Sequence, residues 1–272
     1  MKVPALIGVA ALVAAAPPAF AQIRAQVAPA KYTLVLEIGK PVSRDVNVTN
    51  MSAEPAVVHV RLLDWVLSDQ GEMRLAARGS TPQSIDTLVQ FEPREFSLQP
   101  GETGRIHITA RIPADGPPTR WGVLLSEIRP AVPRPAGFGP RAVAELGTTL
   151  YLSRVHSDEV HAVMTGMEVL PAGRDSVTVS VRLRNMGERH FYVGGEGAVV
   201  DDRGRRVASG PLPTGVVLPG RLRIITWTCP AVLIPGEYRV TMSLDTGEPQ
   251  LLVGETGFRW PLPGTLEAAA PR

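Results

Sequence analysis

Along most of this chain apolar and polar residues alternate one by one. Val46 and Val48 alternate with Asn47 and Thr49, and the run ends at Asn50. Val58, Val60 and Leu62 alternate with His59 and Arg61, and Ile106, Ile108, Ala110 and Ile112 with His107, Thr109 and Arg111. A period of two sends successive side chains to opposite faces, so these stretches predict strands with one face on a core and one in water. Helical spacing is scarce after residue 22. Turn signals separate the runs at Ile38-Gly39-Lys40-Pro41, Ser68-Asp69-Gln70-Gly71, Pro100-Gly101-Glu102 and Ala114-Asp115-Gly116-Pro117. Strands recurring after such turns predict an all-β sandwich rather than a parallel sheet, which would need crossover helices.

The second half repeats the pattern. Val177, Val179, Val181 and Leu183 alternate and again end at an asparagine, Asn185. Asp201-Asp202-Arg203-Gly204 reads as a hairpin turn. Pro219-Gly220 precedes Leu222, Ile224 and Thr226, and Pro235-Gly236 precedes Tyr238, Val240, Met242 and Leu244. The expected fold is therefore all-β, two immunoglobulin-like β-sandwich domains in tandem, each of about 100–130 residues. The Pro/Gly-rich stretch between Ile128 and Arg141 reads as a loop inside the first sandwich, with an interdomain linker as the alternative. As a loop, it lets Ala142 to Ser153 serve as that sandwich's last strand. The expected division is a leader over 1–21, a first domain over 22–154, a second over 155–262 and a flexible tail over 263–272. Gly194-Gly195-Glu196-Gly197 reads as a flexible loop or a bulge.

The N-terminus changes the picture by adding a compartment. Lys2, the apolar run Ala5 to Ala16, the break at Pro17-Pro18 and the small-x-small triplet Ala19-Phe20-Ala21 have the form of a cleaved signal peptide. The run is shorter than the roughly 20 residues that span a bilayer. Composition is globular, with 44% hydrophobic and 20% charged residues, and Gly and Pro at 26 each suit many short strands. The chain has 28 basic and 26 acidic side chains. That balance gives no electrostatic case for nucleic acid or an anionic membrane as partner. Cys229 is the only cysteine, so no internal disulfide is expected, and its place in Ile225-Thr226-Trp227-Thr228-Cys229 puts it on the face of Ile225 and Trp227 as a buried small hydrophobe.

Sites of chemistry are hard to find. His59, His107, His156, His161 and His190 lie in no metal-binding spacing with a carboxylate, and His59 and His107 fall on the solvent face of strands. No Gly-x-Ser-x-Gly elbow or Cys-His pair marks a nucleophile. Glu92 and Glu95, on either side of Pro93, read as solvated loop charges rather than an acid/base pair. The sequence points to a protein that is not an enzyme and carries neither metal nor cofactor.

One region says more than its periodicity. Val89-Gln90-Phe91-Glu92-Pro93-Arg94-Glu95-Phe96-Ser97-Leu98-Gln99-Pro100-Gly101 is followed by Arg105-Ile106-His107-Ile108, then Ile112-Pro113-Ala114-Asp115, then Trp121 to Pro130. This resembles the N-terminal domain of periplasmic pilus-assembly chaperones, which carry P-x-x-F-x-L-x-P-G before a basic-led strand and then L-P-x-D and W-x6-I-P. Val46 to Asn50 with Glu54-Pro55, and Gly147-Thr148-Thr149-Leu150-Tyr151-Leu152 in the place of the last strand, extend the resemblance over roughly residues 27–155. The second half is only generically immunoglobulin-like.

The resemblance implies a periplasmic chaperone for a pilin-like or secreted surface subunit, working with an outer-membrane usher. In such donor-strand complementation the chaperone's last domain-one strand pairs with the subunit's main chain, and alternate side chains fill its groove. Leu146, Thr148, Leu150 and Leu152 are the candidate donors, on one face by the period of two. That face either fills a partner's groove or packs into the chain's own core. The family holds the subunit's terminal carboxylate with an arginine on the first strand and a lysine on the last. Here the first position falls near Thr33 or Leu34, with Lys31 the nearest cation, and the last on Thr148 or Thr149. The alternative is a structural or adhesive cell-envelope module without chaperone activity, since sandwiches host many unrelated functions.

Overall fold

The computed structural model describes residues 23–132, 143–157, 160–173 and 175–262. The expected leader, the expected tail and most of the Pro/Gly-rich stretch lie outside the described residues. Among those residues the structure is all-β, with no helix. The first half forms β1 (Ala25–Ala28), β2 (Lys31–Leu36), β3 (Val42–Asn50), β4 (Ala56–Leu67), β5 (Met73–Ala76), β6 (Val89–Glu92), β7 (Glu95–Leu98), β8 (Thr103–Ala110), β9 (Thr119–Pro130) and β10 (Ala144–Arg154). The second forms β11 (Ala162–Ala172), β12 (Ser176–Asn185), β13 (Phe191–Asp201), β14 (Arg206–Pro211), β15 (Gly215–Val217), β16 (Leu222–Thr228), β17 (Gly236–Asp245) and β18 (Leu252–Trp260).

In the first domain one sheet runs β1-β3-β8-β6 and faces a second running β2-β10-β9-β4-β5, with β7 also on β4. The alternating residues meet between them: Val46, Val48, Ile106 and Ile108 from one sheet, Val58, Leu62, Leu124, Ile128, Leu150 and Leu152 from the other. The first strand changes sheet. β1 pairs antiparallel with β3, and after Pro29 the chain crosses so that β2 lies parallel to β10. A loop closes the end of this sandwich. Asp64, 1% exposed, accepts hydrogen bonds from the Thr81 amide and hydroxyl and from Ser84 Oγ, and so seats Ile85 in the core.

The second domain packs β11-β12-β16 against β14-β13-β17-β18, with β15 on β13. Its core is Val177, Val179, Val181 and Leu183 against Val240, Met242 and Leu244, with Trp227 and Trp260. Cys229 is buried in the same core. On β16 the inward residues are Ile225 and Trp227, whereas Thr226 is exposed and Leu222 and Ile224 are half-buried. The glycine stretch is not a loop: Gly194 to Gly197 run inside β13, where the strand leaves β15 for β14 and β17. Glycine is required there, because Gly195 has φ +139° and an added Cβ would sit 1.9 Å from the Ser243 carbonyl oxygen.

The two buried asparagines do the same work in both domains. Asn50 Nδ2 donates to the carbonyls of Glu54, Leu98 and Gln99, and its Oδ1 accepts from the Ser52 amide. Asn185 Nδ2 donates to the carbonyls of Arg189 and Val217, and its Oδ1 accepts from the Gly187 amide. Each satisfies the backbone where a core strand turns, which explains why both alternating runs stop at asparagine.

Candidate partner-binding site

β10 begins with one neighbour and ends with two. Antiparallel pairing to β9 runs from Ala144 to Ser153, whereas β2 joins only from Thr149, opposite Lys31, to Arg154, opposite Leu36. From Ala144 to Thr148 the other edge of β10 pairs with no strand among the described residues. The period of two puts Leu146, Thr148, Leu150 and Leu152 on one face, and that face points between the sheets. Leu150 and Leu152 are fully buried in the domain's own core. Thr148 is fully buried too, and its hydroxyl donates to the Pro29 carbonyl at 2.8 Å, tying β10 to the point where the first strand crosses over. Leu146 is half-buried at the margin of the core, as is Ala144.

The outward face of β10 at this level is charged. Arg61 Nη2 bridges Glu127 Oε2 at 3.0 Å and Glu145 Oε1 at 3.1 Å, and Arg129 also pairs with Glu127. The arginines let the carboxylate of Glu127, 7% exposed, stay on a largely buried strand.

Further along, the outward face meets the second domain. Trp65, Trp121, Val123 and Tyr151 form a buried patch with Leu218 of the β15–β16 connection. Trp121 Nε1 donates to the Trp65 carbonyl, and the Tyr151 ring stands edge-on to Trp65. On its far side Tyr151 stacks on His190, with ring centres 3.9 Å apart and planes 14° from parallel. Tyr192 stands edge-on to His190, and Lys31 Nζ lies 3.9 Å from the centre of the Tyr192 ring. A second contact comes from the β4–β5 hairpin, where the Asp69 carbonyl accepts from the Ile224 amide at 2.7 Å. Gly71 in this hairpin has φ +90°, and a Cβ there would fall on the Arg223 guanidinium, so only glycine admits the arginine.

Electrostatics at the junction follow from burial. His190 is 5% exposed, and burial, then Lys31, then Arg189 push its pKa down from 6.5 to about 4. The imidazole is thus neutral at pH 7. Burial raises the Tyr151 hydroxyl, with further contributions from its hydrogen bond to Tyr192 and from the charge of that same residue. Lys31 is exposed and has no carboxylate partner among the described residues. In the observed register Lys31 lies opposite Thr149 on the neighbouring strand, and Thr33 and Leu34 lie opposite Tyr151 and Leu152. Sequence reasoning passed over His190 because it tested histidines for metal spacing. The neighbouring Phe191 and Tyr192 were the available signal, a histidine within an aromatic run entering a strand.

Elsewhere the polar groups are dispersed. Glu92 and Glu95 are exposed, and Glu95 pairs with His59. No group of three or more metal-ligating side chains occurs among the described residues. No helix among them is long and apolar enough to cross a membrane.

No protein-family model and no curated protein sequence matches the chain significantly. Solved structures of similar architecture include fimbrial chaperones. The YadV chaperone is 12% identical, with TM-score 0.44, and the match covers 86% of this chain and 99% of that one. The class 5 fimbriae chaperone CfaA is 13% identical, with TM-score 0.44, and coverage of 85% and 98%. The SafB chaperone of Salmonella enterica, solved in complex with the SafA pilin, is 13% identical, with TM-score 0.41, and coverage of 90% and 99%.

Proposed function

We propose that this protein is a periplasmic chaperone-like protein, not an enzyme, that binds a pilin-like or surface subunit by lending it the opening stretch of β10. The observation that supports this most is the one-sided pairing of β10. From Ala144 to Thr148 its main chain has β9 on one side and no strand on the other among the described residues, so a foreign strand can add to that edge. This narrows the donor set. Leu146 has the exposure a donor needs, whereas Thr148, Leu150 and Leu152 are already spent on the chain's own core. Lys31 is level with Thr149, beside the Tyr192 ring and within reach of the same edge. A subunit's terminal carboxylate would find a cation there, as in the family that the motifs around Pro93 and Trp121 resemble.

The test is co-expression in a periplasm with a pilin-like subunit that lacks its final strand. The wild-type chain should co-purify with the subunit. Leu146→Asp, at a half-exposed position, should abolish recovery while leaving the chain folded by circular dichroism, and Lys31→Glu should reduce it. Recovery unchanged by Leu146→Asp would overturn the donor assignment. Failure to recover any subunit would favour the cell-envelope module.

A further inference from the structure

The second domain has an edge of its own, and among the described residues it is the longest regular one. β18 runs nine residues and pairs with β17 at every position from Leu252 to Trp260, with no break in register. Among the described residues it has no partner on its other side. Other edges are short, irregular or occupied. β1, β5 and β6 have four residues each, and β2 and β14 six. β11 breaks register between Met164 and Gly166 and contains Pro171, and β16 receives the Asp69 carbonyl. Long regular edges invite another strand unless something blunts them. Within β18 there is no proline, no lysine and no inward charge.

The outward side chains of β18 say what that strand is. Val253, Glu255, Gly257 and Arg259 are exposed and lie on one face. Glu255 already meets Arg239 at 3.5 Å, and Arg259 meets Glu237 at 3.6 Å, both partners being on β17. Two copies of β18 placed antiparallel about a two-fold axis at Gly257 bring each Glu255 opposite the other copy's Arg259. The charges then alternate across four strands: Glu237, Arg259, the second copy's Glu255 and its Arg239. Moving the axis to Glu255 or to Arg259 sets like charges opposite each other, which is unfavourable. At Gly257 no side chain crowds the axis, and Pro261, which lacks an amide, ends the pairing opposite Val253.

We propose that the β18 edge is a self-association surface, at which a second copy of this chain pairs antiparallel through Glu255 and Arg259 to give a continuous sheet across the dimer. This is independent of the chaperone reading, since it concerns the other domain and a different partner. A two-fold contact is self-complementary, which the reciprocal Glu255–Arg259 pairs satisfy.

Sedimentation equilibrium of the exported chain tests it. A dimer is expected, weakened by added salt. Glu255→Arg and Arg259→Glu should each raise its dissociation constant about tenfold or more, because each creates two like-charge pairs across the axis. Combining the two reversals should restore it. Both positions are exposed, so circular dichroism of the variants should match the wild type. A chain that stays monomeric at about 100 µM overturns the proposal, as does a dimer indifferent to either reversal. A chain ending at Leu262 that dimerises when the full chain does not would assign the edge to residues 263–272 instead of a second copy.

Discussion

The last strands of the two domains differ in what lies beside them. In the first domain the opening strand divides, β1 on β3 and β2 on β10, so β10 is flanked on both sides over residues 149–153. In the second domain β11 stays on β12, apart from the break at Thr165, and forms no ladder with β18 among the described residues, although its Met164 and Met167 lie beside Gly254. One early crossing therefore decides which final strand is closed. It also divides β10 into a half flanked on both sides and a short half whose second edge pairs with no strand among the described residues. On the proposed reading, β10 serves both stability and recognition by changing role along its length, whereas β18 leaves its whole outer edge to pairing with a second copy.

The sharpest way to test this contrast is to shorten one apolar side chain on each last strand. Leu150 is fully buried in the first core, so Leu150→Ala should cost about 3–4 kcal/mol in urea unfolding. Val253 on β18 is 61% exposed, and Val253→Ala should change stability by no more than about 0.5 kcal/mol. Comparable costs would mean that the outer face of β18 is covered in solution, which the dimer would do only in part.

A somewhat smaller effect is expected where the domains meet. The folded pKa of His190 lies at about 4, below its usual 6.5. Between those values the folded protein binds fewer protons than the unfolded chain, so stability is fully present above pH 6.5 and falls as the pH drops through 4. The span corresponds to about 3 kcal/mol. The groups facing the imidazole are Lys31, Arg189, Tyr151 and Tyr192, with no carboxylate among them to hold an imidazolium. His190→Phe keeps the stack on Tyr151 but cannot take a proton, so urea unfolding of this variant should lose that part of the pH dependence. A variant as acid-sensitive as the wild type would place the acid-labile group elsewhere.

Much of this architecture was legible in the alternation. Val46 to Asn50, Val58 to Leu62, Ile106 to Ala110 and Val177 to Asn185 are strands whose apolar face is the core, because a period of two admits one burial pattern per strand. The site was less legible. Leu146 and Leu150 share a parity, and parity cannot tell a side chain in its own core from one at the margin. That difference is set by where β2 begins to pair, a long-range fact fixed by the crossing after Pro29. That Lys31 falls opposite Thr149 was hidden for the same reason, since parallel register is not written in either strand alone. The glycines of β13 misled because glycine marks both loops and close backbone approach, and only the nearby Ser243 carbonyl distinguishes them.

The smallest of the three effects tests the equivalence of the two domains instead of their difference. Asn50 and Asn185 occupy matching positions, each receiving an amide two residues on and donating to a carbonyl four residues on. Removing either side chain strands buried backbone groups, at about 1–3 kcal/mol for an unsatisfied group. Asn50 donates to three carbonyls and Asn185 to two. Asn50→Ala should therefore destabilise its domain by about 2 kcal/mol, and Asn185→Ala by somewhat less. Hydrogen exchange resolves the two domains separately, so each substitution should speed exchange in its own core strands first: β3 and β8 for Asn50, β12 and β17 for Asn185. If Asn185→Ala loosened both cores equally, the Tyr151–His190 stack and the Asp69–Ile224 bond would be strong enough to make the two sandwiches unfold as one unit.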